Sequence, residues 1–141
     1  MKTRILCVGK IKEGFVREGV GEFLKRLRAS RIEVVEVSDS DVAREGRALL
    51  ERVRDGDYVV ALAEAGEQLS STAFADFIKK SGRDLCFVIG GPDGLSKEVF
   101  ARADRVLSLS EMTFTHEMAR LILLEQIYRA FMINEGRSYH R

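Results

Sequence analysis

Short β-type runs alternate with segments of helical period five times along this chain, and that alternation limits its fold more than any other feature. Arg4–Gly9 (RILCVG) ends in glycine and is followed by Val16, Val20, Phe23, Leu24 and Leu27 at helical spacing. Ile32–Val37 (IEVVEV) is rich in β-branched residues, Asp39–Arg54 carries Val42, Leu49, Leu50 and Val53 on a helical period, and Asp57–Ala63 (DYVVALA) is nearly continuous apolar sequence. Ser71–Lys80 reads as a helix capped by Ser70 or Ser71, and Leu85–Gly90 (LCFVIG) as a buried strand. Ser96 suits the cap of a short helix reaching Ala103, and Arg105–Leu109 (RVLSL) is the last strand. A long helix then runs from about His116 to Asn134, with Gly136 behind it. Continuous Val/Ile/Leu strands separated by helices predict an α/β fold, a mostly parallel five- to six-stranded sheet with helices on both faces.

At 141 residues, without repeat, low-complexity tract or linker, the chain is expected to be one domain over 1–141. Its 45% hydrophobic and 32% charged content excludes intrinsic disorder. No apolar stretch reaches the roughly 18 residues of a spanning helix, and the N-terminus lacks the apolar region of a secretory signal, so a cytoplasmic location is expected. Cys7 and Cys86 lie inside apolar runs without metal-ligand partners at useful spacing. Buried reduced thiols follow, with no disulfide scaffold and no metal site.

The net charge of +1 conceals a polarised chain. Residues 1–31 hold nine basic side chains against three acidic, residues 32–104 nine against fifteen, and the remainder five against four. The basic third is either a solvated helix face or part of a polyanion-binding surface. The last helix carries Met118, Leu121, Ile122, Leu123, Leu124, Ile127, Tyr128, Phe131, Met132 and Ile133, far more than one stripe. If the sheet covers one face, the rest is expected to pack against a second copy in a symmetric homodimer.

Ligands of open α/β sheets bind beyond the carboxyl ends of the strands, here the loops after Ala61–Ala63, Gly90 and Leu109. Gly90-Gly91-Pro92-Asp93-Gly94-Leu95-Ser96 places three glycines and the only proline between a strand and a helix. Such a turn either needs glycine for its own geometry or admits a ligand to bare backbone. It matches neither phosphate-binding glycine pattern and has no lysine poised for a β- or γ-phosphate, so a nucleoside-like ligand without phosphates fits better. Ser108–His116 gathers hydroxyls, an acid, apolar residues and an imidazole, with Thr113 or Thr115 available as a cap and no catalytic triad. Glu125 and Arg129 are spaced for a helix ion pair, while His116 and Arg120 share a different face. Both pairs cannot serve one pocket in one chain. The tail Arg137–Arg141 is either a frayed end or, with its Arg, Tyr and His, a phosphate and base contact.

FVIGGPDGLS (Phe87–Ser96), LSLSEMTFTHEMARLILLEQIYRA (Leu107–Ala130), the terminal SYHR and the leading RILCVGKIKE together resemble the RlmH family. These are SPOUT-class methyltransferases of pseudouridine in large-subunit ribosomal RNA. The resemblance implies S-adenosylmethionine as donor, a homodimer, and a C-terminal trefoil knot, where the rule against threaded loops would predict an unknotted sheet. It carries the donor site onto Leu62, Gly91 and the run Ser110, Glu111, Met112, Thr113, Phe114, Thr115. It also matches Tyr139, His140 and Arg141 to a tail that completes the partner's site. The implied acceptor is the N3 imide nitrogen, with Arg141 and Arg129 as anion contacts and His140 for proton transfer. Without an appended RNA-binding domain, the expected substrate is RNA in the assembled ribosome, with neither DNA nor membrane as partner. A non-enzymatic ribosome-binding factor and a nucleotide-binding module are the alternative classes.

Overall fold

The computed structural model describes residues 1–141. Its strands are β1 (Thr3–Val8), β2 (Ile32–Val37), β3 (Tyr58–Gln68), β4 (Leu85–Ile89) and β5 (Arg105–Ser108). Its helices are α1 (Gly14–Arg26), α2 (Val42–Arg52), α3 (Ser71–Lys80), α4 (Lys97–Arg102) and α5 (His116–Asn134). The strands form one sheet in the order β2-β1-β4-β3-β5, and every neighbouring pair is parallel. Five strands is the lower end of the expected range.

Every residue of β1 and β4 is buried, and Ile5–Val8 and the whole of β4 are accordingly apolar without alternation. Successive side chains enter opposite cores. Ile5, Cys7, Leu85, Phe87 and Ile89 pack with α1, α3 and α5, whereas Leu6, Val8, Cys86 and Val88 meet α2 and α4. Both thiols are free and buried, and burial pushes them up, Cys7 to about 11 and Cys86 to about 12. Arg4, counted in the basic third, is also buried, because its guanidinium pairs with Asp57 and donates to the Arg52 carbonyl at 2.7 Å.

Side-chain caps settle the starts of α2 to α5. Asp41 accepts from Arg44 N–H at 2.8 Å, so α2 begins at Val42 rather than at Asp39. Ser70, Ser96 and Thr115 accept from the third residue onward at 3.1, 3.3 and 3.1 Å, which selects Ser70 over Ser71 and Thr115 over Thr113.

The third strand departs from expectation. Its apolar run ends at Ala63, yet the strand continues to Gln68. Leu62 and Glu67 both register with Leu107, so residues 63–66 bulge out between two pairings. Gly66 permits the return, since a Cβ there would lie 2.6 Å from the Leu107 carbonyl carbon. The second half carries exposed Glu64 and Glu67, leaving no apolar signal to mark it.

No residue of α5 is fully exposed. α1 and α3 of the same chain pack against α5 and supply part of its cover. No helix is long and apolar enough to cross a membrane.

Candidate active site

The carboxyl ends of β3, β4 and β5 lie side by side, which brings the three unusual loops together. Below them is a cavity of about 210 Å³. Leu62 lines it from β3, Phe87 from β4, Leu107 and Ser108 from β5, with Leu109 beyond, and Ser71, Ile122, Leu123 and Gln126 from the helices. No ionisable side chain lines it. Ser108 Oγ donates to the Ser110 carbonyl at 2.8 Å, and Ser110 Oγ accepts from Met112 N–H at 2.9 Å, so the outgoing loop is folded by its own hydroxyls. Thr115 then caps α5.

Of the residues assigned to the donor, Leu62 is in the cavity wall, whereas Ser110, which follows the lining residue Leu109 in sequence, is outside the lining. Glu111, Met112, Thr113, Phe114 and Thr115 are exposed, Met112 to 75%. Gly91 is buried in the glycine turn, outside the cavity lining. Much of that turn's glycine requirement is internal. A Cβ on Gly90 would lie 2.7 Å from the Gly94 carbonyl group, and Gly94 has φ +84°.

Two residues that sequence reasoning missed support the turn from beneath. A Cβ on Gly91 would meet Val8 at 3.3 Å and the Glu45 carboxylate at 3.4 Å. Glu45 is 5% exposed and its Oε2 accepts from Ser40 N–H at 2.8 Å. Beside it, a Cβ on Gly46 would overlap Ser96 Oγ at 2.2 Å. The available signal was a lone glycine inside a helical pattern, which marks close approach of another element.

The tail residues gather elsewhere on α5. Arg129 Nη2 and Glu125 Oε2 are 2.7 Å apart, the ion pair expected from their spacing. Tyr139 OH donates to the same Glu125 oxygen at 2.9 Å, its ring lies 4.8 Å from the Arg129 guanidinium, and Arg129 Nη1 meets His140 Nδ1 at 3.1 Å. Burial and the Glu125 carboxylate raise the Tyr139 phenol above its ordinary value. Arg129 Nε is buried without a partner, and Arg141 is exposed. Within one chain this cluster sits ten residues past Thr115, roughly 15 Å along the helix, so it is not brought to the loop Ser110–Thr115. Arg120 is likewise apart, turned inward to Glu36 at 2.6 Å and to the Gly9 carbonyl at 3.0 Å.

Residues 1–140 match the family described as "Predicted SPOUT methyltransferase". The chain belongs to the SPOUT methyltransferase family. Among its relatives, ribosomal RNA large subunit methyltransferase H of Lactiplantibacillus plantarum is 42% identical over the full length of both chains. The protein of the same name from Thermotoga sp. strain RQ2 is 45% identical, with 99% of each chain covered. In fold, this SPOUT methyltransferase is similar to a structure titled as a probable methylase family protein from Haemophilus influenzae Rd KW20, with a TM-score of 0.64 over 95% of this chain and 66% of that one at 14% identity. Family membership favours an enzyme over a ribosome factor without catalysis.

Proposed function

We propose that this SPOUT methyltransferase transfers a methyl group from S-adenosylmethionine to N3 of a pseudouridine in large-subunit ribosomal RNA. In this reading it acts on assembled ribosomes in the cytoplasm, as a homodimer packed through α5 and with the C-terminal trefoil knot of its class. The observation that carries it is the cavity free of ionisable side chains at the carboxyl edge of β3, β4 and β5, in a chain full-length similar to proteins named ribosomal RNA large subunit methyltransferase H.

The donor fits that cavity by chemistry. Apolar walls from Leu62, Leu107 and Ile122 suit a nucleoside and its thioether-like arm, and Ser108, Ser71 and Gln126 supply hydrogen-bonding groups. The absence of Lys and Arg from the lining suits a sulfonium and disfavours a phosphate. When bound, the donor supplies an already activated methyl group. The chain must then hold the acceptor nitrogen in line and favour loss of its proton, since a protonated imide is a poor nucleophile.

Arg129 and Arg141 are the groups for that task. Arg129 is fixed by Glu125 and stacked on Tyr139, and Arg141 is exposed without an ion-pair partner, free for phosphate or for a developing imide anion. His140 is constrained further. A guanidinium nitrogen only donates, so His140 Nδ1 accepts and its proton sits on Nε2. Accepting the imide proton at Nδ1 therefore requires release from Arg129. Because the tail of one chain is tied to Glu125 and Arg129, the second copy is the source of the tail that meets the donor loop in this reading.

Arg141→Ala tests the assignment. Methyl transfer to ribosomes should fall by about tenfold or more, about 1.4 kcal/mol of barrier, while calorimetric S-adenosylmethionine affinity stays within about twofold. Equal loss of both would contradict the tail as an RNA contact.

A further inference from the structure

We infer that the loop between β1 and α1, residues 9–13, is a contact surface for the phosphodiester backbone of the substrate RNA, with Lys10 and Lys12 as the phosphate ligands. This rests on the RNA reading above and adds a surface which that reading does not assign.

The loop is short, basic and fixed. Glu117, in the first turn of α5, accepts from Lys12 N–H at 2.9 Å through Oε2 and from Glu13 N–H at 3.1 Å through Oε1. Arg120, one turn further, donates to the Gly9 carbonyl at 3.0 Å, and Arg17 donates to the Ile11 carbonyl at 2.8 Å. Four of the five residues thus have backbone groups held by side chains from α1 and α5. The Lys10 and Lys12 side chains are exposed and take part in no ion pair, in contrast to Lys2, Arg4 and Arg26 of the same basic third. The nearby carboxylate that could have neutralised them, Glu117, is occupied by backbone donors; the exposed Glu13 remains. Two ammonium groups on a backbone ordered during folding meet a polyanion at less entropic cost than lysines on a mobile loop.

Position gives the loop its substrate. Glu117 lies two residues past Thr115, the last residue of the candidate donor loop, so the pinned backbone of Lys12 adjoins the exit of that loop. Phe15, 63% exposed, follows the basic loop, and Phe114, 37% exposed, precedes α5. Exposed aromatic rings beside free cations are the combination that holds an unstacked nucleotide by its backbone and a base face.

The test compares wild type, Lys10→Ala/Lys12→Ala and Lys10→Arg/Lys12→Arg for binding to whole ribosomes over a salt series, with donor affinity and sedimentation measured alongside. The alanine pair should bind ribosomes about tenfold more weakly near 0.15 M salt and reduce the slope of log affinity against log salt by about 1.4 to 1.8, two phosphates' worth. Donor affinity and mass should be unchanged, and the arginine pair should bind as wild type does. Unaltered ribosome affinity and slope in the alanine pair would overturn the inference, as would dissociation into lighter particles, which would make the loop a subunit contact. A wild type that binds donor but no ribosome would overturn the RNA reading and this loop assignment together, and the first two outcomes would overturn the loop assignment alone.

Discussion

Arg120 of α5 and Glu36 of β2 form an ion pair with Nη1 and Oε2 2.6 Å apart, tying the start of the last helix to the edge of the sheet. The two partners are not equivalent. The Arg120 side chain is 1% exposed and its Nε has no hydrogen-bond partner, whereas Glu36 is 37% exposed. Removing Glu36 strands a buried guanidinium, while removing Arg120 leaves a carboxylate that water can reach. Glu36→Ala should therefore cost about 3 kcal/mol or more, and Arg120→Met, which keeps the apolar stem, clearly less. Urea unfolding of both variants gives the order, and the reverse order would contradict this account of the pair.

Gly46 and Ser96 set a second constraint, between α2 and the end of the glycine turn. Gly46→Ala places a methyl 2.2 Å from Ser96 Oγ and 2.8 Å from its Cβ, so the turn must shift. A loss of about 1–3 kcal/mol is expected from overpacking. Adding Ser96→Gly should recover part of it, although the N-cap bond to Val99 is then gone. A double-mutant cycle measures the coupling, and strict additivity would show that the contact is not the cause.

Glu117 makes loop anchoring sensitive to acid. Burial pushes its carboxyl up, but the N–H groups of Lys12 and Glu13, with the charges of His116 and Arg120, outweigh burial and hold it below the usual range. A carboxyl lowered in the folded state stabilises above its unfolded value and loses that contribution as pH falls through the folded one. Glu117→Gln should thus be less stable than wild type at neutral pH, and the two should converge below about pH 4. Stability curves that stay parallel into acid would remove Glu117 as the anchor.

Cys7 and Cys86 should be silent toward thiol reagents in the native protein. With thiol values pushed to about 11 and about 12, neither is ionised to any useful extent near neutral pH, and both are buried. Alkylation with iodoacetamide should follow the urea unfolding curve. Rapid labelling without denaturant would indicate a local opening of β1 or β4.

The parts of the fold that were legible are those whose cause is local. β4 and the Ile5–Val8 part of β1 are buried on both sides and so carry no polar alternation, and Ser96 announces its helix by cap chemistry, as Ser70 and Thr115 do with a rival hydroxyl nearby. The distal half of β3 was not legible, because Glu67 and Gln68 pair through backbone while their side chains face solvent, after a bulge over 63–66. Nor were the buried charges. Arg120 meets Glu36 across 84 residues and Glu117 meets Lys12 across 105, and no local pattern distinguishes such residues from a solvated helix face. In the candidate site, the glycine turn and the Ser108–His116 loop stood out by composition, while the support from Glu45 and Gly46 depends on how α2 packs under the sheet. The multi-sided apolar surface of α5 was read correctly as multi-sided burial, but α1 and α3 account for part of it. The donor and acceptor came from resemblance to a family, since a charge-free cavity limits a ligand's class without naming the reaction.

Methyl transfer to one ribosomal nucleotide can be read directly. Purified protein, S-adenosylmethionine and whole ribosomes lacking the modification should be incubated together, and the large-subunit RNA digested and read by mass spectrometry. A single added methyl on one pseudouridine, at N3, is the expected result, with far less transfer to protein-free RNA. Ribosomal RNA unchanged in mass, from protein shown to bind the donor, would contradict the claim.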